Sequence, residues 1–420
     1  MIVRVRAKWV VPVAAPVLPG GWIDVDDERG EITAIGDSRT RSARRADRVV
    51  DLPDAAILPG LVNAHTHLEL SHLAGAVPPA ASFVTWVRTM LAARAATPAA
   101  VSTITDAIVR AIAAMEATGT AGIGDIGNTD LAVLPLAGSL LSGVHFREAL
   151  GFRGAVARRV AAEARLGAAV AQAQLVEHGC ARIVSSVAPH APYSTSAALM
   201  QDLARGTREA HRVSSLHLAE SGEEVEFLQT GRGAFRELLA DLGVWDETWT
   251  PPGVRPVEYV RGLGVLHDRL LVVHGTQLAA DQLRAIADAR ATLVLCVRSN
   301  RWVGAGAPPA EEAFASGARI ALGTDSLASV EDLNLFAELA ALRRLTPGIP
   351  PGRLLRAATW GGAQALGCTA LGYLGPGATS RAVVRTPAAH VEDVEEWLAA
   401  DAADTADLRW LDDVVTRASA

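Results

Sequence analysis

Residues 57–67 read Ile-Leu-Pro-Gly-Leu-Val-Asn-Ala-His-Thr-His, an apolar run closed by two histidines. The pattern recurs at TAGIGDIGN (120–128), SGVHFREALG (142–151), ARIVSSVAPHAPYS (181–194), VSSLHLAES (213–221), RLLVVHGTQL (269–278), ATLVLCVRSN (291–300) and RIALGTDSLAS (319–329). Each is a short apolar stretch suited to a strand buried on both faces, followed by Gly, Pro or polar residues. Ala-rich stretches of helical character lie between them, at 101–117, 155–178, 197–211, 279–289 and 331–345. This alternation predicts an α/β fold, a (β/α)8 TIM-type barrel over residues 57–367. The rival, a doubly wound open sheet, finds no GxGxxG or P-loop motif in the interior to favour it.

Working outward, both ends read as β structure. Val3, Val5, Ala7 and Trp9 alternate with Arg4, Arg6 and Lys8, a strand period, and Pro12 and Pro16 interrupt any secretory leader helix. Two alternating runs flank Asp27-Glu28-Arg29-Gly30, a hairpin signal. Far away, LGYLGPGATSRAVVRTP (371–387) carries a turn at Gly375-Pro376-Gly377 and an apolar run at Ala382–Val384. A small composite β domain built from 1–56 and 368–420 is expected, with the acidic tail from Val391 helical or wrapped on the surface.

Composition narrows the classes. Of 420 residues half are hydrophobic and a fifth charged, enough for a large core, which excludes disorder as the main state. A net charge of −7 argues against a nucleic-acid partner. Cys180, Cys296 and Cys368 are odd in number and far apart, so neither a disulfide framework nor a cysteine zinc site is expected, and the chain reads as cytoplasmic. No apolar run approaches the roughly 20 residues of a membrane span. The expected partner is a small-molecule substrate, and a homodimer is the assembly considered.

The polar residues at the strand ends carry the chemistry. His65 and His67, two apart on a strand, point to one side. His190, His217, His274, Glu220 and Asp325 close the fourth, fifth, sixth and eighth candidates. Five histidines, a glutamate and an aspartate on one rim point to a metal site at the C-terminal face, where barrel enzymes work.

LPGLVNAHTH, SLHLAES, VVHGT and LGTDS resemble, in order and spacing, the strand motifs of the amidohydrolase superfamily. PGLVNAHTHLELSHL, Phe83-x-x-Trp86, PHAPYS and the Ser299-Asn300 pair are similar to its nucleoside and nucleobase deaminase branch, including the 6-aminodeoxyfutalosine deaminases of menaquinone synthesis. The resemblance implies a mononuclear site with ligands His65, His67, His217 and Asp325. Three imidazoles and a carboxylate suit Zn²⁺ or Fe²⁺. Lys8 is the only lysine, so the interior cannot supply the carboxylated lysine that bridges two metals in binuclear members. By resemblance, Glu220 relays a proton to a ring nitrogen, His274 orients the attacking water, and Asp325 also passes a proton toward departing ammonia. His190 contacts substrate. Arg147, Glu148, Trp86, Ser299 and Asn300 are further substrate candidates, set against plainer readings: an ion pair on the rim for Arg147 and Glu148, core packing for Trp86, a helix start for the Glu220 segment.

The implied reaction is hydrolytic deamination of an adenine-type nucleoside, 6-aminodeoxyfutalosine first. The alternatives are attack on another heteroaromatic ring (triazine, pyrimidine, guanine) and a non-catalytic barrel. Arg147, Arg153, Arg298 and Arg301 are the rim arginines available for an acidic substituent. Two departures stand out: Thr85 replaces the glutamate that commonly precedes the tryptophan, and Val297 the proline that commonly follows the cysteine. His72, His145, His178, His211, His267 and His390 read as structural or surface residues.

Overall fold

The computed structural model describes residues 1–40, 45–96 and 98–419. The N-terminal alternation becomes β1 (Ile2–Val10), with Val3, Val5 and Ala7 buried and Arg6 exposed. β2 (Leu18–Pro19) and β3 (Trp22–Asp26) pair antiparallel with β1, and β4 (Glu31–Gly36) with β3. Gly30 turns the β3–β4 hairpin at φ +61°, a conformation glycine adopts without strain. β5 (Arg48–Pro59) runs parallel to β1 and takes Ile57–Pro59, which the sequence reading assigned to the first inner strand. The break falls at Gly60: a Cβ there would lie 2.4 Å from that of Ala121 and 2.8 Å from the Arg381 carbonyl oxygen.

Two parallel sheets follow. One is β6 (Leu61–Thr66), β7 (Thr120–Gly127), β8 (Ser142–Ala149) and β9 (Ile183–Pro189). The other is β10 (Ser214–Leu218), β11 (Leu270–His274), β12 (Thr292–Leu295) and β13 (Arg319–Leu322). Nearly all their residues are buried, as strands covered on both faces must be. Helices Val101–Ala117, Ala157–Glu177, Ala197–Glu209, Ala280–Asp288 and Leu335–Leu345 fall where the Ala-rich stretches predict them.

Backbone hydrogen bonds tie the edges of the two sheets. His217 N–H donates to the His190 carbonyl at 2.9 Å, and the N–H groups of Thr324 and Asp325 both reach the His65 carbonyl at 3.1 Å. The polar ends of the strands therefore converge. β14 (Ala382–Arg385) pairs with β5, and β15 (Arg409–Trp410) with β14, so one sheet joins both ends of the chain. The tail anchors through Arg385, fully buried, which donates to the Asp407 carboxylate and to the carbonyls of Ala402 and Asp404. Its helix Val394–Ala400 packs on helices Leu335–Leu345 and Pro351–Arg356.

Candidate active site

His65 lies one residue before the end of β6, with His67 just beyond it, His217 lies in β10, and Asp325 follows β13 by three residues. The ring centroids of His65, His67 and His217 lie 4.8–5.3 Å apart. His67 Nε2 is 3.3 Å from His217 Nε2 and 3.5 Å from Asp325 Oδ1, and His65 Nε2 is 3.8 Å from that same oxygen. His65 is fully buried, and both its ring nitrogens lack a hydrogen-bond partner. A buried polar atom is rarely left so. Burial, then the neighbouring imidazoles, holds His65 well below its ordinary pKa, and His217 likewise lies far down through burial first. Both are neutral at pH 7, the form that ligates metals. Burial works to raise the Asp325 carboxyl, but His67, His274 and two hydroxyls outweigh it and keep the group ionised. Converging lone pairs and a carboxylate fit one divalent cation.

Neighbours fix the orientations of these side chains. Ser299 and Ser329 hydroxyls donate to Asp325 Oδ2 at 2.6 and 2.7 Å. His217 Nδ1 donates to the His190 carbonyl at 2.8 Å, which leaves Nε2 as the free lone pair. Asn300 Oδ1, 2.8 Å from His274 Nδ1, does the same for His274, whose Nε2 lies 3.5 Å from Glu220 Oε1. Ala219, His274 and Asp325 all take positive φ, 53°, 73° and 62°. Left-handed backbone in such residues costs about 1–3 kcal/mol each and persists only where surroundings over-determine it. At Ala219 the clamp is Glu224, whose carboxylate accepts the N–H groups of Ala219 and Glu220 at 3.0 and 2.9 Å.

Glu220 is 3% exposed. Burial, with Asp325 and Glu224 adding to it, pushes its carboxyl well above the usual range. A glutamate whose carboxyl is raised by burial beside a polar floor is suited to taking up and giving back a proton. Above it opens a cavity of about 230 Å³. His67, His190, His217, Glu220, His274 and Asp325 form its floor, and Phe83, Trp86, Tyr193, Phe235, Leu238 and Leu242 its walls.

The amidohydrolase family's sequence pattern matches residues 56–405. The chain belongs to that family. It is a hydrolytic deaminase by its relatives. The aminodeoxyfutalosine deaminase of Deinococcus radiodurans is 31% identical over 330 residues, covering 74% of each chain. The 5-methylthioadenosine/S-adenosylhomocysteine deaminase of Nitratidesulfovibrio vulgaris is 30% identical, covering 86% of this chain and 78% of its own. A zinc-bound adenosine deaminase structure from Xanthomonas campestris superposes with a TM-score of 0.78 at 26% identity, over 97% of this chain and 90% of that one.

The amidohydrolase's pocket gathers most of the residues the sequence singles out, but Arg147, Arg153, Arg298, Arg301, Ser299 and Asn300 do not line it. Arg147 faces away: it pairs with Asp130 at 3.1 Å and lies against Gly167 of the helix behind β8, because its side chain is one residue out of phase with Glu148. Ser299 and Asn300 are fully buried behind Asp325 and His274, so they brace the floor and do not line the cavity. Arg153 is spent on the carbonyls of Gly243 and Trp245, and Arg298 on Glu331 and Asp332. Trp86 lines the cavity and also donates its Nε1 hydrogen to the Ala328 carbonyl at 3.3 Å, serving wall and core together.

Sequence reasoning missed Glu224, although Ser221-x-x-Glu224 is a capping spacing and Ser221 does cap that helix. It also missed Ser329, Asn128 and Arg94. His145, read as structural or surface, forms a buried pair with Asp125 at 2.8 Å, and Asp125 also accepts the Leu68 N–H beside His67.

Proposed function

We propose that this amidohydrolase removes the 6-amino group of an adenine-type nucleoside, with His65, His67, His217 and Asp325 holding one divalent metal ion, Zn²⁺ or Fe²⁺. The observation that carries the reading is the buried, partnerless His65 ring beside a glutamate with a raised carboxyl pKa, at the floor of an apolar pocket. Such an ion supplies Lewis acidity and lowers the pKa of a bound water to about 7. Glu220 takes up a proton and returns it to a ring nitrogen. His274, with Nδ1 fixed by Asn300, presents Nε2 to the same space. His190, with Nδ1 2.6 Å from the Ser194 hydroxyl, turns its other nitrogen to the base. Burial holds His190 down at about 3, so it meets the purine uncharged.

The walls favour an apolar arm on the sugar. Arg94 lines the mouth and has no ion-pair partner among the described residues. It takes the part that the displaced rim arginines cannot, meeting an acidic group at the arm's far end. 6-Aminodeoxyfutalosine carries both features and is our first choice, with a role in menaquinone synthesis. 5′-Methylthioadenosine, whose arm is apolar and uncharged, is the second reading, favoured by the same walls without Arg94. We further propose that β6–β13 close as a (β/α)8 barrel carrying the terminal sheet as a small second domain. The hydrogen bonds at both sheet edges support this. The corresponding location is cytoplasmic; among the described residues no helix is long and apolar enough to cross a membrane.

The test is ammonia release from 6-aminodeoxyfutalosine, 5′-methylthioadenosine, S-adenosylhomocysteine, adenosine and adenine. We expect the first to lead, and Arg94→Ala to lower its kcat/KM about 10- to 100-fold, as loss of a hydrogen bond to a charged group does, while sparing 5′-methylthioadenosine. Faster turnover of 5′-methylthioadenosine, with Arg94→Ala silent, selects the second reading. Reaction only with a triazine or pyrimidine refutes the adenine reading.

A further inference from the structure

Three carboxylates line the cavity: Glu220, Asp325 and Glu148. The first two are committed to proton transfer and to the metal. Glu148, at the end of β8, is 9% exposed, and its two oxygens are treated differently. Oε2 accepts a hydrogen bond from Asn128 Nδ2 at 2.8 Å. Oε1 is buried and has no partner. The nearest cationic candidate is His217 Nδ1 at 3.9 Å, but that nitrogen already donates to the His190 carbonyl at 2.8 Å. For the same reason Glu148, His190 and His217, although their ligand atoms lie close enough for a cation, do not form a second metal site: the His217 nitrogen on that side carries the hydrogen.

The carboxylate is also held in place from behind. Asn128 and Thr129 donate their backbone N–H groups to Glu69 at 3.0 and 2.8 Å, so the loop after β7 is tied to the segment after β6. Among the described residues no other acid lines the cavity: Thr85, beside Trp86, is exposed, bonded to Ser82 and does not line it. A fixed, buried acceptor next to His190 calls for a ligand with hydroxyl donors.

We infer that Glu148 accepts a hydrogen bond from a sugar hydroxyl of the nucleoside, making the pocket selective for an intact 2′,3′-diol. This rests on the adenine-nucleoside reading above and adds the sugar to it. Asn128 positions the carboxylate, and Glu69 positions Asn128. Glu148 takes no part in proton transfer at the base, so its loss acts on binding more than on turnover.

The experiment compares adenosine, 2′-deoxyadenosine and 3′-deoxyadenosine on the wild-type metalloenzyme, on Glu148→Gln and on Glu148→Asp, with metal content measured for each. Wild type should prefer adenosine over at least one deoxy analogue by about 10- to 100-fold in kcat/KM, as expected when a buried polar group loses its partner. Glu148→Gln should shrink that preference below about threefold, mainly through a higher KM for adenosine, with one metal ion per chain retained. Glu148→Asp, which keeps the charge and shortens its reach, should fall between the two. A wild type indifferent to the diol, or a preference unchanged in both variants, overturns the inference alone. Two metal ions per wild-type chain overturn it in favour of a second cation site. No turnover of any adenine nucleoside overturns the parent reading, and this one with it.

Discussion

Glu220 and Glu224 stand four residues apart, both buried, and serve different ends. Burial raises Glu224 to about 7, yet both its oxygens are taken by backbone N–H groups. Glu220 faces His274 and the cavity. Glu220→Gln should therefore leave metal content and fold unchanged and reduce kcat by about 10²- to 10⁴-fold, the usual share of a general acid–base group. A loss under tenfold would remove it from proton transfer. Asn300→Ala should weaken activity by about 10- to 100-fold through a freed His274 ring, the typical effect of losing a residue that orients a site histidine; unchanged kinetics would show that the ring is held by packing alone. His217 and Glu220 were legible in the sequence because a three-residue offset past a strand end puts both near one rim. Asn300 was found but given the wrong partner. Its place after β12 shows in the sequence, whereas the direction of a side chain on the turn that follows does not.

The helix Val297–Trp302 carries both Ser299 and Asn300, and helix Leu335–Leu345 holds it: Glu338 accepts the Arg298 backbone N–H at 3.1 Å. Glu338 is fully buried, and its second oxygen has no partner. Burial pushes this carboxyl up to about 8 from an ordinary 4.5. The folded protein thus keeps the proton to about pH 8, while the unfolded chain releases it near 4.5. Since the native state binds more protons across that window, this group's contribution to stability falls as pH rises through it. Relative to Glu338→Gln, the wild type should lose melting temperature as pH rises from about 5 to 8. Equal slopes in variant and wild type would show that Glu338 does not titrate there. At this scale the sequence was most readable: apolar runs with no alternation mean strands covered on both faces, and the eight inner strands follow. It failed at Gly60, because Ile57–Pro59 is as apolar as Leu61–Val62 and only the close approach of Ala121 and Arg381 marks where one sheet hands over to the other. It failed at Arg147 too, where a step of one residue decides between cavity and outer helix.

The four proposed ligands come from chain positions far apart and from both parallel sheets: His65 lies in one with His67 just past its strand, His217 in the other with Asp325 past the strand ending at Leu322. No local segment can assemble them, so the ion should bind the folded protein and not the unfolded chain. Binding to one state alone adds stability that grows with the logarithm of free metal, about 2.7 kcal/mol at a hundred times the dissociation constant. Removing metal with a chelator should lower the melting temperature, and returning Zn²⁺ should restore it in proportion to the logarithm of its concentration. His65→Ala should abolish the response, because it deletes the central ring, whereas Glu220→Gln should keep it, because that carboxyl is not a ligand. The two variants separate the parts of the site: one loses metal-linked stability and activity together, the other activity alone. A melting temperature indifferent to chelator and Zn²⁺ would mean that the histidine cluster holds no metal, and the partnerless nitrogens of His65 would need another explanation.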